Sequence, residues 1–456
     1  MKYLVILLLI VGVVGLPFLL EKPQETIGNA QDAVVIITPH NEAIRFEFEN
    51  KFREWYEEKT GRTVDVDWRT IGGTSQIVRY IQSEFENAFR NYWVNERGRE
   101  WTAEVVASFD DPDVNADDVA GSPTEGQEAR RVFLDSSVSV GMDIFFGGGS
   151  YEFKRQAGKG TLVSWRDTQA LEERFPPEVF PRKFAGEEFW DPDGKWIGAV
   201  LSSFGIIYNE DSIRRLGIDQ PPETWADLAH PKLFGEVALA DPTKSGSMTK
   251  AFEMIVQEQM HRSVNAAQQK GMSEAAAEQQ GLSEGWMNAM TLIQKIAANS
   301  RYFTDSATKV PMDVADGDSA VGMCIDFYGR FQAQVVETRG GGTRVRYVTP
   351  QGASTLSSDP IGILRGAPNR EVADRFMEFV LSDAGQQLWG QRVGSEGGPV
   401  EYALRRSPAF RTLYEPPYRE RLSEPEVNPY EQVGDFVYRP DWTGRLFTPL
   451  RFIIRV

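Results

Sequence analysis

The sequence predicts an α/β fold, and three of its features do so. Short apolar runs of strand type alternate with amphipathic helical stretches from Ala33 to about Pro350, the pattern of largely parallel sheets flanked by helices. Several of these runs end in loops of one chemistry, rich in glycine, serine and threonine, and ligands of open α/β sheets bind beyond the carboxyl ends of the strands. The chain has 456 residues, 41% of them apolar and 11% aromatic, which is too long for one average domain and enough for two or three cores.

In chain order, Ala33–Thr38 (AVVIIT) is the first predicted strand, with Pro39-His40-Asn41-Glu42 as its exit loop. A helix follows from about Ala43 to Thr60 and stops at Gly61. Thr63–Trp68 (TVDVDW) alternates as a strand, and Gly72-Gly73-Thr74-Ser75 opens a helix over Gln76–Phe89. The stretch from about Trp93 to Arg131 is acidic and turn-rich, and reads as an insertion. Within it Asp111, Asp113, Asn115 and Asp117 alternate like the start of a calcium loop. Its sixth position is Ala116 where a glycine is needed, and its twelfth is Ser122 where a glutamate is needed, so it reads as a solvated acidic loop.

Met142–Phe146 is a strand running into Gly147-Gly148-Gly149-Ser150. Asp193-Gly194, between Trp190 and Trp196, signals a hairpin turn. The two tryptophans either stack on a ligand or pack on one another across that hairpin. The runs WIGAVLSS, FGIIYN, EVALA, AVGMCID and RVRYVTP are the later strands. Residues 401–456, rich in Arg, Pro and Tyr, have few regular patterns; they are expected to wrap over the body and end in a short helix, LFTPLRFIIRV.

The turn Ala240-Asp241-Pro242-Thr243-Lys244-Ser245-Gly246-Ser247 joins the EVALA strand to an amphipathic helix beginning MTKAFEMIVQEQM. The first N–H groups of a helix have no intrahelical partner. Hydroxyls, free amides and the positive end of the dipole there converge on one point that can hold an anion. The same residues are also ordinary helix caps. Four further strand ends share this chemistry: TPHNE, IGGTSQ, FGGGS and LSSFG. Together they favour one shared pocket.

The net charge of −17 argues against nucleic acid as a partner and against docking on anionic lipid. An anionic ligand would therefore be held by local donors. Lys2 is followed by an uncharged, largely apolar run from Tyr3 to Leu20; residues 1–30 are expected to be a signal peptide or an uncleaved membrane anchor. The single cysteine, Cys324, excludes an intrachain disulfide and a cysteine-rich zinc site and reads as a small buried apolar residue. The three histidines, His40, His230 and His261, come with no G-x-S-x-G elbow and no H-E-x-x-H helix, so nothing pairs a nucleophile with a base.

Three longer passages carry a family resemblance: FGIIYNEDSIRRLGIDQPPETWADLAHPKLFGEVALADPTKSGS, DGDSAVGMCIDFYGR and SDPIGILRGAPNREVADRFMEFVLSDAGQQLWGQRVGSEGGPV. They resemble extracellular solute-binding proteins of ABC importers, in the branch that includes ferric-iron-binding and related anion-binding receptors. The resemblance covers about Val34 to Val400 and implies a type II periplasmic-binding-protein fold, two α/β lobes joined by crossover strands and closing by a hinge motion. It places residues 33–198 and 350–400 in lobe one, 199–349 in lobe two, and 401–456 packed against lobe two. The chain would cross near Ser202-Ser203 and return near Ser358-Asp359-Pro360.

By the same resemblance the cleft would be lined by His40, Gly73, Thr74, Ser75, Gly148 and Gly149 from lobe one. Lobe two would contribute Thr243, Ser245, Gly246, Ser247, Asp326 and Tyr328, and the crossovers Ser203 and Asp359. Ferric-binding members carry two adjacent tyrosines where this chain has Phe327-Tyr328, and the lost phenolate weighs against a hard cation. His40 and Tyr328 would be metal ligands only if the solute is ferric iron. A small anion, or an organic molecule bearing phosphate, phosphonate, sulfonate or carboxylate, fits the hydroxyl-rich loops better. Asp326 either binds a hydroxyl or amine of that ligand or caps the helix after it. The expected protein is thus a monomeric, exported binding protein with no cofactor, delivering its solute to a membrane permease. Two other classes remain as competitors: an exported serine-type hydrolase and a ligand-sensing module.

Overall fold

A computed structural model describes residues 30–117, 122–432, 434 and 436–455. The predicted export segment lies outside the described residues, apart from Ala30. Two sheets organise the chain. The first contains β1 (Asp32–Ile37), β2 (Val64–Arg69), β3 (Ile144–Phe146), β4 (Leu162–Val163) and β5 (Ile197–Ser202). The second contains β6 (Phe204–Asn209), β7 (Val237–Ala240), β8 (Ser300–Thr304), β9 (Val321–Ile325) and β10 (Val345–Val348). The chain then returns to the first sheet with β11 (Ser357–Leu364) and β12 (Ser407–Pro408). The strand orders are β12-β5-β11-β3-β1-β2, with β4 on β11, and β8-β7-β9-β6-β10.

Both sheets are mixed, where the sequence suggests largely parallel ones. Val34 pairs with Val66 and Ile36 with Ile144 in parallel, and Val321 pairs with Val237 in parallel. By contrast β11 runs antiparallel to both β3 and β5, and β6 runs antiparallel to β9 and β10. The antiparallel strands flank the two passages between sheets. Only Ser203 separates β5 from β6, and the return runs through Thr349–Leu356, ahead of the predicted Ser358. Asp359-Pro360 lies inside β11, at a shift of its register against β5, where a proline without an N–H is tolerated.

Helices cover the sheets. Helix α1 (Glu42–Thr60) is capped by the Asn41 side chain and ends at Gly61 with φ 68°, the left-handed conformation that glycine adopts without strain. Helix α2 spans Thr74–Asn91, α3 Ser150–Lys159, α4 Gly246–Gln269, α5 Glu274–Ala298 and α6 Asp326–Val336. Fully buried Asp143 ties the first sheet together: its carboxylate accepts the N–H groups of Val35 (2.8 Å) and Asn369 (2.6 Å).

The predicted acidic insertion is in part a folded layer. Trp93, Val105, Phe109, Ala129 and Phe133 join Phe85, Phe89 and the sheet residues Ile37, Phe145 and Leu364 in one core, with Val105 of the short helix Ala103–Ser108 and Ala129 and Phe133 of Glu125–Asp135 turned inward. The calcium-like run is an exposed turn in which Asp111 and Asn115 accept the N–H groups of Asp113 and Asp117. Among the described residues no cluster of His, Cys, Asp and Glu could hold a metal ion.

The hairpin is present, with Asp191 N–H donating to Trp196 O. Its tryptophans neither meet each other nor reach a ligand site: Trp190 is buried in one core and Trp196 in the other. Trp190 pairs with Ile197 and not with Trp196, so the two rings are one position out of step and point to opposite faces.

Residues 401–455 do more than the sequence suggests. They touch both units, not only the second. Glu47, 1% exposed, accepts the N–H groups of Val400, Glu401 and Tyr402 at 2.6–2.8 Å, and β12 adds a strand beside β5. The second half lies on the other unit: the Tyr438 and Thr443 hydroxyls donate to Glu253 of α4, and Trp442 donates to Glu278 of α5. The chain ends in α7 (Phe447–Arg455). Cys324 is buried and unbonded. Among the described residues no helix is long and apolar enough to cross a membrane.

Candidate ligand-binding cleft

The carboxyl ends of strands from both sheets face one cleft of about 1380 Å3. Its first wall is the loop after β1 with the N-termini of α2 and α3; its second is the turn after β7, the N-terminus of α4 and the start of α6. Of the residues singled out in the sequence, His40, Gly73, Thr74, Ser75, Gly148, Gly149, Thr243, Ser245, Gly246, Ser247, Tyr328 and Asp359 line it.

Ser203 and Asp326 do not. Asp326, 2% exposed, accepts the Ser203 N–H at 3.1 Å and the Ser203 hydroxyl at 3.3 Å, and its other oxygen accepts the Phe327 N–H. Burial pushes its pKa up, with the Arg330 charge opposing. Asp326 therefore pins the passage from β5 to β6 to the start of α6, and is spent on that.

Close approach explains the glycine loop after β3. A Cβ on Gly147 (φ 89°) would lie 2.4 Å from His40 Nε2, and one on Gly148 (φ 110°) would lie 2.7 Å from the Thr74 side chain. Glycine thus lets this loop close onto the β1 and β2 exits. Helix α3 has no side-chain cap; its Glu152 N–H turns to Gly149 O at 3.2 Å, which leaves the Ser150 and Tyr151 amides at the cleft without an internal acceptor. In the turn after β7, Asp241 accepts both the N–H and the hydroxyl of Thr243. Ser245 Oγ accepts the Met248 N–H at 3.2 Å and lies 3.1 Å from Ser247 Oγ. Ser245 is thus a cap as well as a cleft residue, whereas Ser247 carries no capping duty.

Arg406 and Lys250 of this site were not found in the sequence. Arg406, its side chain 1% exposed, donates to Ser202 Oγ at 2.9 Å and to Asp359, and its Nη1 lies 3.5 Å from His40 Nε2. The guanidinium also stacks 4.2 Å over the Phe327 ring. Lys250, one turn into α4, sits between Glu187 (2.8 Å) and Glu253 (3.0 Å) and 3.6 Å over the Tyr438 ring. Burial alone would lower its pKa; the two carboxylates outweigh burial and hold it above the lysine range. The only hint of Arg406 is the Arg-rich composition after residue 400, which names no partner. Arg79 and Lys244 stand at the cleft without an ion pair among the described residues.

His40 is buried, and burial followed by the Arg406 and Arg45 charges holds its pKa well below the histidine range. Burial raises the Tyr328 phenol above its ordinary value. No histidine bonds to Ser245, whose neighbours are Ser247 and Met248.

The bacterial extracellular solute-binding protein family matches the chain over residues 141–400. The chain belongs to that family. Its members bind solutes and are not enzymes. An uncharacterized protein of Haemophilus influenzae is 24% identical over 254 residues, 55% of this chain and 61% of that protein; the chain thus spans about three fifths of that relative.

Solved structures share the fold. The periplasmic binding protein AfuA of Actinobacillus pleuropneumoniae, with exogenous fructose-6-phosphate bound, has a TM-score of 0.55 at 17% identity, covering 94% of this chain and 100% of that one. Iron-bound HitA of Pseudomonas aeruginosa has a TM-score of 0.54 at 14% identity, covering 93% and 99%. Apo ferric ion-binding protein A of Pasteurella haemolytica has 0.56 at 11%, covering 93% and 96%. This solute-binding protein therefore has the two-lobed type II periplasmic-binding-protein fold.

Proposed function

We propose that this solute-binding protein is the capture component of an ABC importer, closing on a small anionic solute and handing it to a membrane permease. The observation that carries the reading is the convergence of three helix N-termini, those of α2, α3 and α4, on one cleft from opposite sheets. Each presents first-turn amides, and the hydroxyls of Thr74, Ser75, Ser150 and Ser247 stand beside them. Such ends attract anions, which a chain of net charge −17 would otherwise repel. An organic phosphate, phosphonate, sulfonate or carboxylate suits these donors. The apolar run Tyr3–Leu20 supports export, with residues 1–30 either removed or kept as a tether.

Ferric iron is the second reading, favoured by His40 and Tyr328 sharing the cleft. The Arg406 guanidinium 3.5 Å from His40 weighs against a tripositive ion there, as does a phenol whose pKa burial has raised. Native mass spectrometry of the purified full chain, with the released ligand identified, tests the proposal. An oxyanion-bearing solute is expected, and bound iron overturns it. Ser247→Ala should weaken that solute about tenfold by calorimetry, one lost hydrogen bond to a charged group, with the melting temperature nearly unchanged.

A further inference from the structure

Residues beyond 400, where the family match ends, form a third wall of the cleft. Helix α7 lies against both other walls. On the first side the Tyr151 hydroxyl is 3.0 Å from Thr448 Oγ1, and the Tyr151 and Phe447 rings are 4.5 Å apart. On the second side Arg455 donates to Asp241 at 3.1 Å and lies over Phe303. Between these contacts Arg451 lines the cleft.

Arg451 has more donors than partners. Its side chain is 11% exposed, and its nearest carboxylate, Glu152, stands 3.5 Å away. That carboxylate is shared, since Arg155 holds its other oxygen, Oε2, at 3.1 Å. The Arg451 Nε is buried with no hydrogen-bond partner. A guanidinium offers five N–H donors in a fixed fork, so most of them are unanswered. The first residue of α4 is adjacent: a Cβ built on Gly246 would lie 3.9 Å from Arg451 Nη2. A cationic fork and a helix N-terminus thus border one space inside the cleft.

We infer that Arg451 is a ligand-binding residue, placed with the first amides of α4 to grip the oxyanion group of the solute. The inference rests on the anionic reading above. It adds that recognition depends on the C-terminal helix, so the matched part of the family alone does not complete the site. Oxyanion geometry suits the fork, which holds two acceptor oxygens at once.

The test uses the full chain and three probes by calorimetry: inorganic phosphate, fructose 6-phosphate and citrate. Wild type is expected to bind at least one. Arg451→Gln should weaken that probe about tenfold or more, and Arg451→Lys should restore part of the loss. Arg445→Gln, an exposed cation of the same segment that lies off the cleft, should stay within about twofold of wild type. Thermal melts confirm that the variants are folded. If Arg451→Gln binds as tightly as wild type while Ser247→Ala does not, the inference about Arg451 falls and the anionic reading stands. If wild type binds none of the probes, both fall together.

Discussion

At the end of β1 the His40 ring packs edge-on against Phe146 and Trp389, with the Arg406 guanidinium 3.5 Å from Nε2 and Nδ1 unpartnered. A proton added there would be buried beside a cation. In the unfolded chain the same imidazole protonates near pH 6.5, whereas in the folded chain it stays neutral to a well lower pH. Below about pH 6.5 the unfolded state therefore binds the extra proton, and stability falls as the pH is lowered, by at most about 1.4 kcal/mol per pH unit from this group. Urea unfolding between pH 7 and 5 should show this slope, and His40→Gln should flatten it by that amount. His261, also depressed by burial, contributes in the same direction and remains in the variant as an internal reference. At this scale the hydroxyl and glycine positions were legible because turn chemistry is local. Arg406 was not, since its partners His40 and Asp359 are 366 and 47 residues away.

Among the elements, strands and helices were readable from their periods, which report which face is buried. Gly61 ends α1 and Ser245 opens α4 because each acts on its own neighbours. Strand direction was not readable, since a buried apolar run looks the same either way up. Nor was the layer around Trp93, whose apolar positions are diluted by acidic turns. The irregular stretch after residue 400 owes its place to Glu47, whose carboxylate accepts three consecutive backbone N–H groups. Glu47→Ala should loosen that stretch before the rest of the fold. Limited proteolysis near residues 400–402 should quicken by on the order of tenfold, about 1.4 kcal/mol of local stability. Unchanged cleavage would show that β12 and the Arg406 contacts hold the segment without Glu47.

At the scale of the molecule, Ser203 and Thr349–Leu356 link the two sheets, and the C-terminal segment passes from the first sheet onto the helices of the second unit. The first two lie side by side, because β5 and β11 are neighbours, and such a paired crossing permits a hinge. Opening must also part Tyr151 from Phe447 and Thr448. Small-angle scattering is therefore expected to give a smaller radius of gyration for the ligand-saturated protein than for the stripped one. Equal radii would argue for a rigid cleft. The two-lobed plan could be anticipated only through family resemblance, since no period or turn signal says which sheet a strand joins.

The pairing of Arg406 with His40 and Asp359 has a consequence for how the chain matures. Synthesis proceeds from the N-terminus, so His40 emerges 366 residues and Asp359 47 residues ahead of Arg406, the cation that offsets the Asp359 charge and covers both. Contacts this distant along the chain form slowly. The floor of the cleft should be the last part of the first sheet to set, and a partly emerged chain should be unable to trap its cargo prematurely.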